Sequence, residues 1–255
     1  MSELTVSELT VVHSAERLAR VAAERIAHLA SSATAEGERF VLALSGGSTP
    51  RPTYRLLARQ RQGLTVDWSR VEVFWGDERC VPPDHPDSNY RMARQALLDH
   101  VQIPAGQVHR IQGELPPPEA AAAYRAELQA VLGDHRQRRF DLMLLGLGAD
   151  GHTASLFPGT PAVQEQCRDV VAVHVQKGHG RPSDAWRVTL TLPVINDARH
   201  VIFLVSGERK ADALARVHAG EPLPAGLVQP TEGTLTWLVD RDAAAALPRH
   251  SGTRE

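Results

Sequence analysis

Two side chains suited to moving protons stand two residues apart in a glycine-rich stretch, Asp150 and His152 within Gly146-Leu-Gly-Ala-Asp-Gly-His-Thr153. An imidazole, with an ordinary pKa of about 6.5, can act as a general base near neutral pH. A carboxylate beside it can orient the ring or stabilise its protonated form. Asp150 could equally serve only to close the turn, since Asp is a common turn residue. A second stretch, Ser45-Gly46-Gly47-Ser48-Thr49-Pro50, combines glycines and hydroxyls just before an expected helix start. Backbone N–H groups and the positive end of a helix make such a turn an anion site. The plainer reading is an ordinary capped turn. Cations complete the set: Arg79 in Asp77-Glu78-Arg79, Arg187, and Lys210 in Ser206-Gly-Glu-Arg-Lys. Asp-Glu-Arg alone also fits a solvated salt-bridge cluster. Only Lys177 and Lys210 are lysines among the 28 basic residues, so a lysine here can mark a place that wants a compact point charge.

All these groups fall at the ends of apolar runs, which identifies the elements that must carry them. Leu142 to Leu145 is a run of the kind buried on both faces of a parallel sheet, and the glycine turn follows it directly. Phe40 to Leu44 runs into the Ser45 turn, Val71 to Trp75 into Asp77, and His200 to Val205 into Ser206. Further strands are expected at Thr10–His13, Val108–Ile111, Val170–Val173, Trp186–Leu192 and Thr234–Val239. Helices are expected over Ala15–Ala30, from near Pro50, over Ser88–His100 and Pro116–Leu132, briefly after Thr153, and up to about Ala219. Strands alternating with helices predict an α/β fold, a single domain over 1–255 with a mostly parallel, Rossmann-like sheet and helices on both faces. The ends, about 1–9 and 248–255, are expected to be flexible. In an open α/β sheet ligands bind beyond the carboxyl ends of the strands. An anion cradle, cations and an Asp/His pair at those ends describe a site for a small phosphorylated molecule undergoing proton transfer.

Gly146-Leu-Gly-Ala-Asp-Gly151 also matches the dinucleotide fingerprint G-x-G-x-x-G. The context does not: Pro158 and Pro161 interrupt the helix that should follow, and Val170–Val173 ends at His174 rather than at an acidic residue. No cofactor is expected. No cluster has metal-ligand spacing and no G-x-S-x-G elbow occurs, so neither a metal nor a serine nucleophile is expected. A net charge of −2 without a long basic run argues against nucleic acid. No apolar run approaches the roughly 20 residues of a membrane span. The first residues lack a signal-peptide pattern, and two cysteines without ligand spacing suit a reduced, cytoplasmic protein.

Six segments together resemble the 6-phosphogluconolactonase family. They are L-S-G-G-S at 44–48, D-E-R-x-V-P at 77–82, G-x-G-x-D-G-H-T-A-S-L-F-P at 146–158, R-V-T-L-T-L-P-V-I-N at 187–196, S-G-E-x-K-A at 206–211 and L-P-A-x-L-V-Q-P at 223–230. The resemblance implies hydrolysis of 6-phospho-D-glucono-1,5-lactone. His152 would activate water and Asp150 would support it. Gly46, Gly47 and Ser48, flanked by Ser45 and Thr49, would hold the phosphate with Arg187 and Lys210. Arg79 or the glycine-turn amides would stabilise the oxyanion, and Asp77 would hold Arg79 or bind sugar hydroxyls. The chain is also similar to glucosamine-6-phosphate deaminase, but that family's Asn-Glu-Pro after D-G-H is here Leu156-Phe157-Pro158, without the carboxylate. A sugar-phosphate sensor without turnover would lack the Asp/His pair. The lactonase family often carries a compact Lys-Pro-Pro loop before R-V-T-L; this chain has Lys177-Gly-His-Gly-Arg-Pro-Ser-Asp184 instead.

Overall fold

The computed structural model describes residues 6–35, 37–59, 64–133, 139–176 and 185–248. The atypical Lys177–Asp184 loop lies outside the described residues. In chain order the elements are β1 (Val6–Val12), α1 (Ala15–Ala35), β2 (Phe40–Leu44), α2 (Arg51–Ala58), β3 (Val71–Trp75), β4 (Asp77–Arg79), α3 (Asn89–Ala96), α4 (Pro117–Leu132), β5 (Leu142–Gly146), β6 (Val170–Val175), β7 (Ala185–Leu190), α5 (Leu192–Asn196), β8 (His200–Val205), α6 (Ala211–His218) and β9 (Thr234–Asp240). Among the described residues no helix is long and apolar enough to cross a membrane.

Six strands form one sheet in the order β1-β9-β8-β5-β2-β3, and every neighbouring pair is parallel. β2 and β3 are buried at every residue. Both alternating sets of side chains are therefore covered, which is why β2 reads as an unbroken apolar run; in β3 the one charged residue, Glu72, is buried and paired with His109 and Arg39. α1 buries Leu18, Ala19, Ala22, Ala23, Ile26, Ala27 and Ala30, a stripe at three- and four-residue spacing, and packs along β9. From β2 the chain moves outward to β3, then returns to the other side of β2 to form β5, and continues to β8 and β9. The strand order thus reverses between β2 and β5, and a crevice opens beyond their carboxyl ends.

A second sheet, β4-β7-β6, is antiparallel. Gly76 joins the two sheets. Its N–H donates to the Leu44 carbonyl at 3.0 Å, and its carbonyl accepts from the Leu190 N–H at 2.9 Å. Asp77 therefore starts at the seam between the sheets.

Several sequence expectations needed correction. The first strand starts at Val6 rather than Thr10, because it pairs with β9 along its whole length; residues 6–9 belong to the sheet and are not a loose end. Val108–Ile111 makes one isolated bridge, Val73 to Val108, instead of a strand. What fixes this segment is His109, placed between Glu72 (2.8 Å) and Glu127 of α4 (2.6 Å) and stacked on Phe74. The stretch after Thr153 is a tight turn closed by a Thr153–Leu156 bridge, not a helical piece. The helix expected to reach His100 ends at Ala96 and passes into a 3-10 turn, and Leu192, expected at a strand end, starts α5.

Leu144 lies at the centre of β5 with no exposed surface. Leu144→Ala should destabilise the fold by about 2–5 kcal/mol through lost transfer energy and a residual cavity. The change is read as a lower urea midpoint at unchanged slope.

Candidate active site

The turn after β5 is built around one close approach. His152 Nδ1 lies 2.5 Å from Asp150 Oδ1, and the same oxygen accepts the His152 N–H at 3.2 Å. The imidazole sits directly on Gly148: a Cβ there would lie 2.0 Å from His152 Nδ1. Glycine at 148 is thus required by the ring above it. The turn closes through Gly148 N–H to His152 carbonyl (2.8 Å) and Gly151 N–H to Gly148 carbonyl (3.0 Å). The His152 and Asp150 side chains are 24% and 22% exposed, reachable but largely desolvated. Burial alone would raise the Asp150 pKa. The hydrogen bond and charge of His152, with backbone N–H groups, outweigh it and hold the carboxyl well below the usual carboxylate range.

The turn after β2 lies alongside, because β2 and β5 pair in parallel through Leu42–Leu142 and Ala43–Met143. Ser45 is buried, Gly46 and Thr49 are half-buried, and Gly47 and Ser48 are exposed. The Tyr54 hydroxyl of α2 clamps the Ser45 main chain, accepting its N–H at 3.0 Å and donating to its carbonyl at 2.8 Å. The Ser45 hydroxyl is buried and has no hydrogen-bond partner among the described residues. Helix α2 begins at Arg51, as Pro50 and Pro52 lead one to expect, and no side chain caps it. Gly46 is required by a neighbour: a Cβ there would lie 1.8 Å from Asn89 Oδ1.

Asp77, Glu78 and Arg79, adjacent in sequence, have three separate tasks. Asp77 is buried; it accepts from Ser155 Oγ at 2.6 Å and Asn89 Nδ2 at 3.2 Å, and lies 3.6 Å from Arg187 Nη1. It therefore orients Arg187, not Arg79. Glu78 closes the start of α3, accepting from the N–H groups of Asn89 (2.7 Å) and Tyr90 (2.8 Å) and from Ser88 Oγ (3.0 Å). Burial pushes its carboxyl upward, against those bonds. Arg79 donates to the Asp87 carbonyl and faces Arg187 across the β4–β7 ladder. The two arginines line a cavity of about 890 Å³ with Cys80, Trp186 and Pro116. Burial, then Glu78, pushes the Cys80 thiol up to about 11, which leaves it a poor nucleophile. His152 is not part of that cavity wall; the connection runs through Phe157, whose ring lies 4.1 Å from the His152 ring and 6.0 Å from Arg187 Cζ. A second cavity, of about 630 Å³, opens beside Phe140 at the opposite end of β5 and carries none of these groups.

Lys210 arrives from β8 through the Gly207 turn. Asp240, at the end of β9, holds that turn by accepting Ser206 Oγ (2.5 Å) and the Gly207 N–H (3.0 Å). Burial, then repulsion from Arg209, lowers the Lys210 pKa, while attraction to Asp150 opposes both. Lys210 thus lies within electrostatic reach of the Asp/His turn. Among the described residues no group of three or more His, Cys, Asp or Glu side chains could hold a metal ion.

The description of one protein family, glucosamine-6-phosphate isomerases/6-phosphogluconolactonase, matches residues 13–237. The chain belongs to this family. It is 46% identical over 225 residues to a 6-phosphogluconolactonase of Synechocystis, covering 85% of this chain and 88% of that protein. It is 44% identical to a 6-phosphogluconolactonase of Mycobacterium leprae, covering 89% and 93%. The solved 6-phosphogluconolactonase from Trypanosoma cruzi superposes with a TM-score of 0.81 at 32% identity, covering 96% and 98%.

In this member of the isomerase/lactonase family, the structure also reveals contributors that the sequence reading passed over. Ser155, Asn89 and Tyr54 act on the site through other residues, and nothing about their types signals it. The L-P-A-x-L-V-Q-P segment proves to be a brace. Leu223 packs on Gly151, the Ala225 N–H donates to the Gly151 carbonyl at 3.0 Å, and Asn196 ties down the Leu227 carbonyl (3.1 Å) and the Gln229 N–H (2.8 Å).

The depressed Asp150 carboxyl links the turn to pH. A carboxylate whose folded pKa lies below its unfolded value of about 3.9 adds stability that is complete above that value and is lost as the pH falls toward the folded one. Asp150→Asn should therefore be less stable than the parent at pH 7. The difference should shrink on acidification below about pH 4 in parallel urea titrations.

Proposed function

We propose that this chain hydrolyses 6-phospho-D-glucono-1,5-lactone to 6-phospho-D-gluconate, the lactonase step of the oxidative pentose phosphate pathway, without cofactor or metal. The observation that carries the reading is the Asp150–His152 pair beside the Ser45–Thr49 cradle at the reversal of strand order, in a chain of this family. Asp150 holds Nδ1, which directs the basic Nε2 of His152 outward. Nε2 takes a proton from water as its oxygen attacks the lactone carbonyl. The tetrahedral intermediate then expels the ring oxygen, which recovers the proton from the imidazolium, so the acid is released with the sugar hydroxyl restored.

The phosphate is assigned to the amides of Gly46, Gly47 and Ser48, which donate to no acceptor among the described residues, with the hydroxyls of Ser45, Ser48 and Thr49 nearby. Arg187 supplies a planar fork and Lys210 a point charge. The N–H groups of Gly148, Gly151 and His152 are engaged inside their own turn, so the oxyanion is assigned to Arg79. Asp77 supports Arg187 from behind. A cytoplasmic location completes the reading, supported by Cys80 and Cys167 as free thiols. The deaminase alternative needs a third ionisable group beside the histidine, and Phe157 occupies that position.

The direct test is turnover of freshly generated lactone with the spontaneous hydrolysis subtracted; ammonia release from glucosamine 6-phosphate without lactonase turnover would overturn the reading. His152→Asn should fold and bind 6-phosphogluconate while losing about 10²–10⁴-fold in kcat; near-parental rates would move the base elsewhere. Arg187→Ala should act chiefly through a raised KM, because it removes an interaction made equally before and during the reaction.

A further inference from the structure

We infer that Phe157 is a positioning residue that couples the general base to the phosphate-binding arginine and sets the reach between them. The inference rests on the lactonase reading of the site. Phe157 has no exposed surface, and its ring contacts two functional side chains. It lies 4.1 Å from the His152 ring at an interplanar angle of 34°, and the Arg187 guanidinium carbon lies 6.0 Å from its centroid.

Each of these side chains is also held at one polar end. Asp150 holds His152 through Nδ1, and Asp77 holds Arg187 through Nη1 at 3.6 Å. One hydrogen bond leaves an imidazole free to swing about it; a ring against its face removes that freedom. The Arg187 guanidinium, ion-paired with Asp77, likewise favours the face of an aromatic ring.

The local backbone is bent to deliver this ring. Ala154 has φ +46, a left-handed conformation unusual for a residue with a Cβ, and the Leu156 N–H returns to the Thr153 carbonyl at 2.9 Å. Ser155, in the same turn, donates to Asp77 at 2.6 Å, so the turn that presents Phe157 also fixes the carboxylate behind Arg187. A rigid spacing between proton acceptor and cation selects an ester whose anionic group lies at one fixed distance from its carbonyl. Phe157 is thereby a determinant of preference for the phosphorylated lactone over the unphosphorylated one.

The test compares kcat, KM and the ratio of kcat/KM for phosphorylated against unphosphorylated gluconolactone in the parent and Phe157→Leu, well below either melting temperature. The expected result is a kcat about 10- to 100-fold lower on both substrates, from a misplaced base. The phosphorylated-to-unphosphorylated ratio should also fall about 2- to 5-fold, from the lost guanidinium platform. Phe157→Tyr, which keeps the ring, should retain both. Phe140→Leu, a buried aromatic at the other end of β5, should lower the melting temperature and move neither. If Phe157→Leu does not fold, Phe157→Met fills the volume without a ring and enters the same assays. A lowered melting temperature with both kinetic quantities unchanged would make Phe157 a core residue only, and a change in one quantity without the other would break the coupling. Either result overturns the inference. A parent without turnover above the spontaneous rate would instead defeat the lactonase reading. Phe157 would then be judged by calorimetry with inorganic phosphate and by the His152 ring resonances, both of which should change in Phe157→Leu.

Discussion

β2 and β5 hydrogen-bond side by side and run in the same direction, so the chain leaves both strands at one edge of the sheet. At that edge the polypeptide turns after each strand. The amides of Gly46, Gly47 and Ser48 are the set without acceptors among the described residues; the Gly146–His152 turn closes on itself and carries the imidazole instead. Because the strands are parallel and buried, their register is fixed by packing on both faces. A shift of one residue would turn Leu142 and Leu144 to the wrong side and move the histidine relative to the cradle.

The second requirement is electrostatic. Arg79 and Arg187 face each other across the β4–β7 ladder and would repel one another if left to themselves. Carboxylates placed behind cations set their directions: Asp77 behind Arg187, and Asp240 behind the turn that presents Lys210. Asp77 is buried but engaged by Ser155 and Asn89 as well, so its charge is compensated from three different parts of the chain. Asp150 follows the same logic next to His152. Arg187, His152 and the turn that carries Lys210 are thus each held by a carboxylate.

Much of this was legible in the chain. Largely apolar runs such as Phe40–Leu44, Val71–Trp75 and Val201–Val205 coincide with strands because strands covered on both faces admit a polar residue only with a buried partner, as Glu72 has in His109. The α4 boundary follows from Pro116 and Pro117, whose fixed φ suits a helix start. Where local pattern misled, a tertiary contact had decided. The first strand extends back to Val6 because β9 offers it a full ladder, and Val108–Ile111 fails to form a strand because His109 is claimed by Glu72 and Glu127. The tight turn at Thr153–Leu156 depends on a left-handed alanine, which no propensity suggests.

The sequence by itself determined the chemistry available: an Asp and a His in one glycine turn, a Gly/Ser turn, and the cations Arg79, Arg187 and Lys210, although Arg187 proves to lie inside β7 and not at a strand end. It also determined the α/β class, because residue type and period alone carry that information. Only the tertiary structure decided which groups meet. Strand order placed β2 beside β5, the seam at Gly76 assigned Asp77 to Arg187 instead of Arg79, and the tight Thr153–Leu156 turn brought Phe157 onto the imidazole. The first two of those pairings join residues far apart in the chain and are chosen by the packing of the sheets, while the third depends on the left-handed backbone at Ala154; short-range spacing encodes neither.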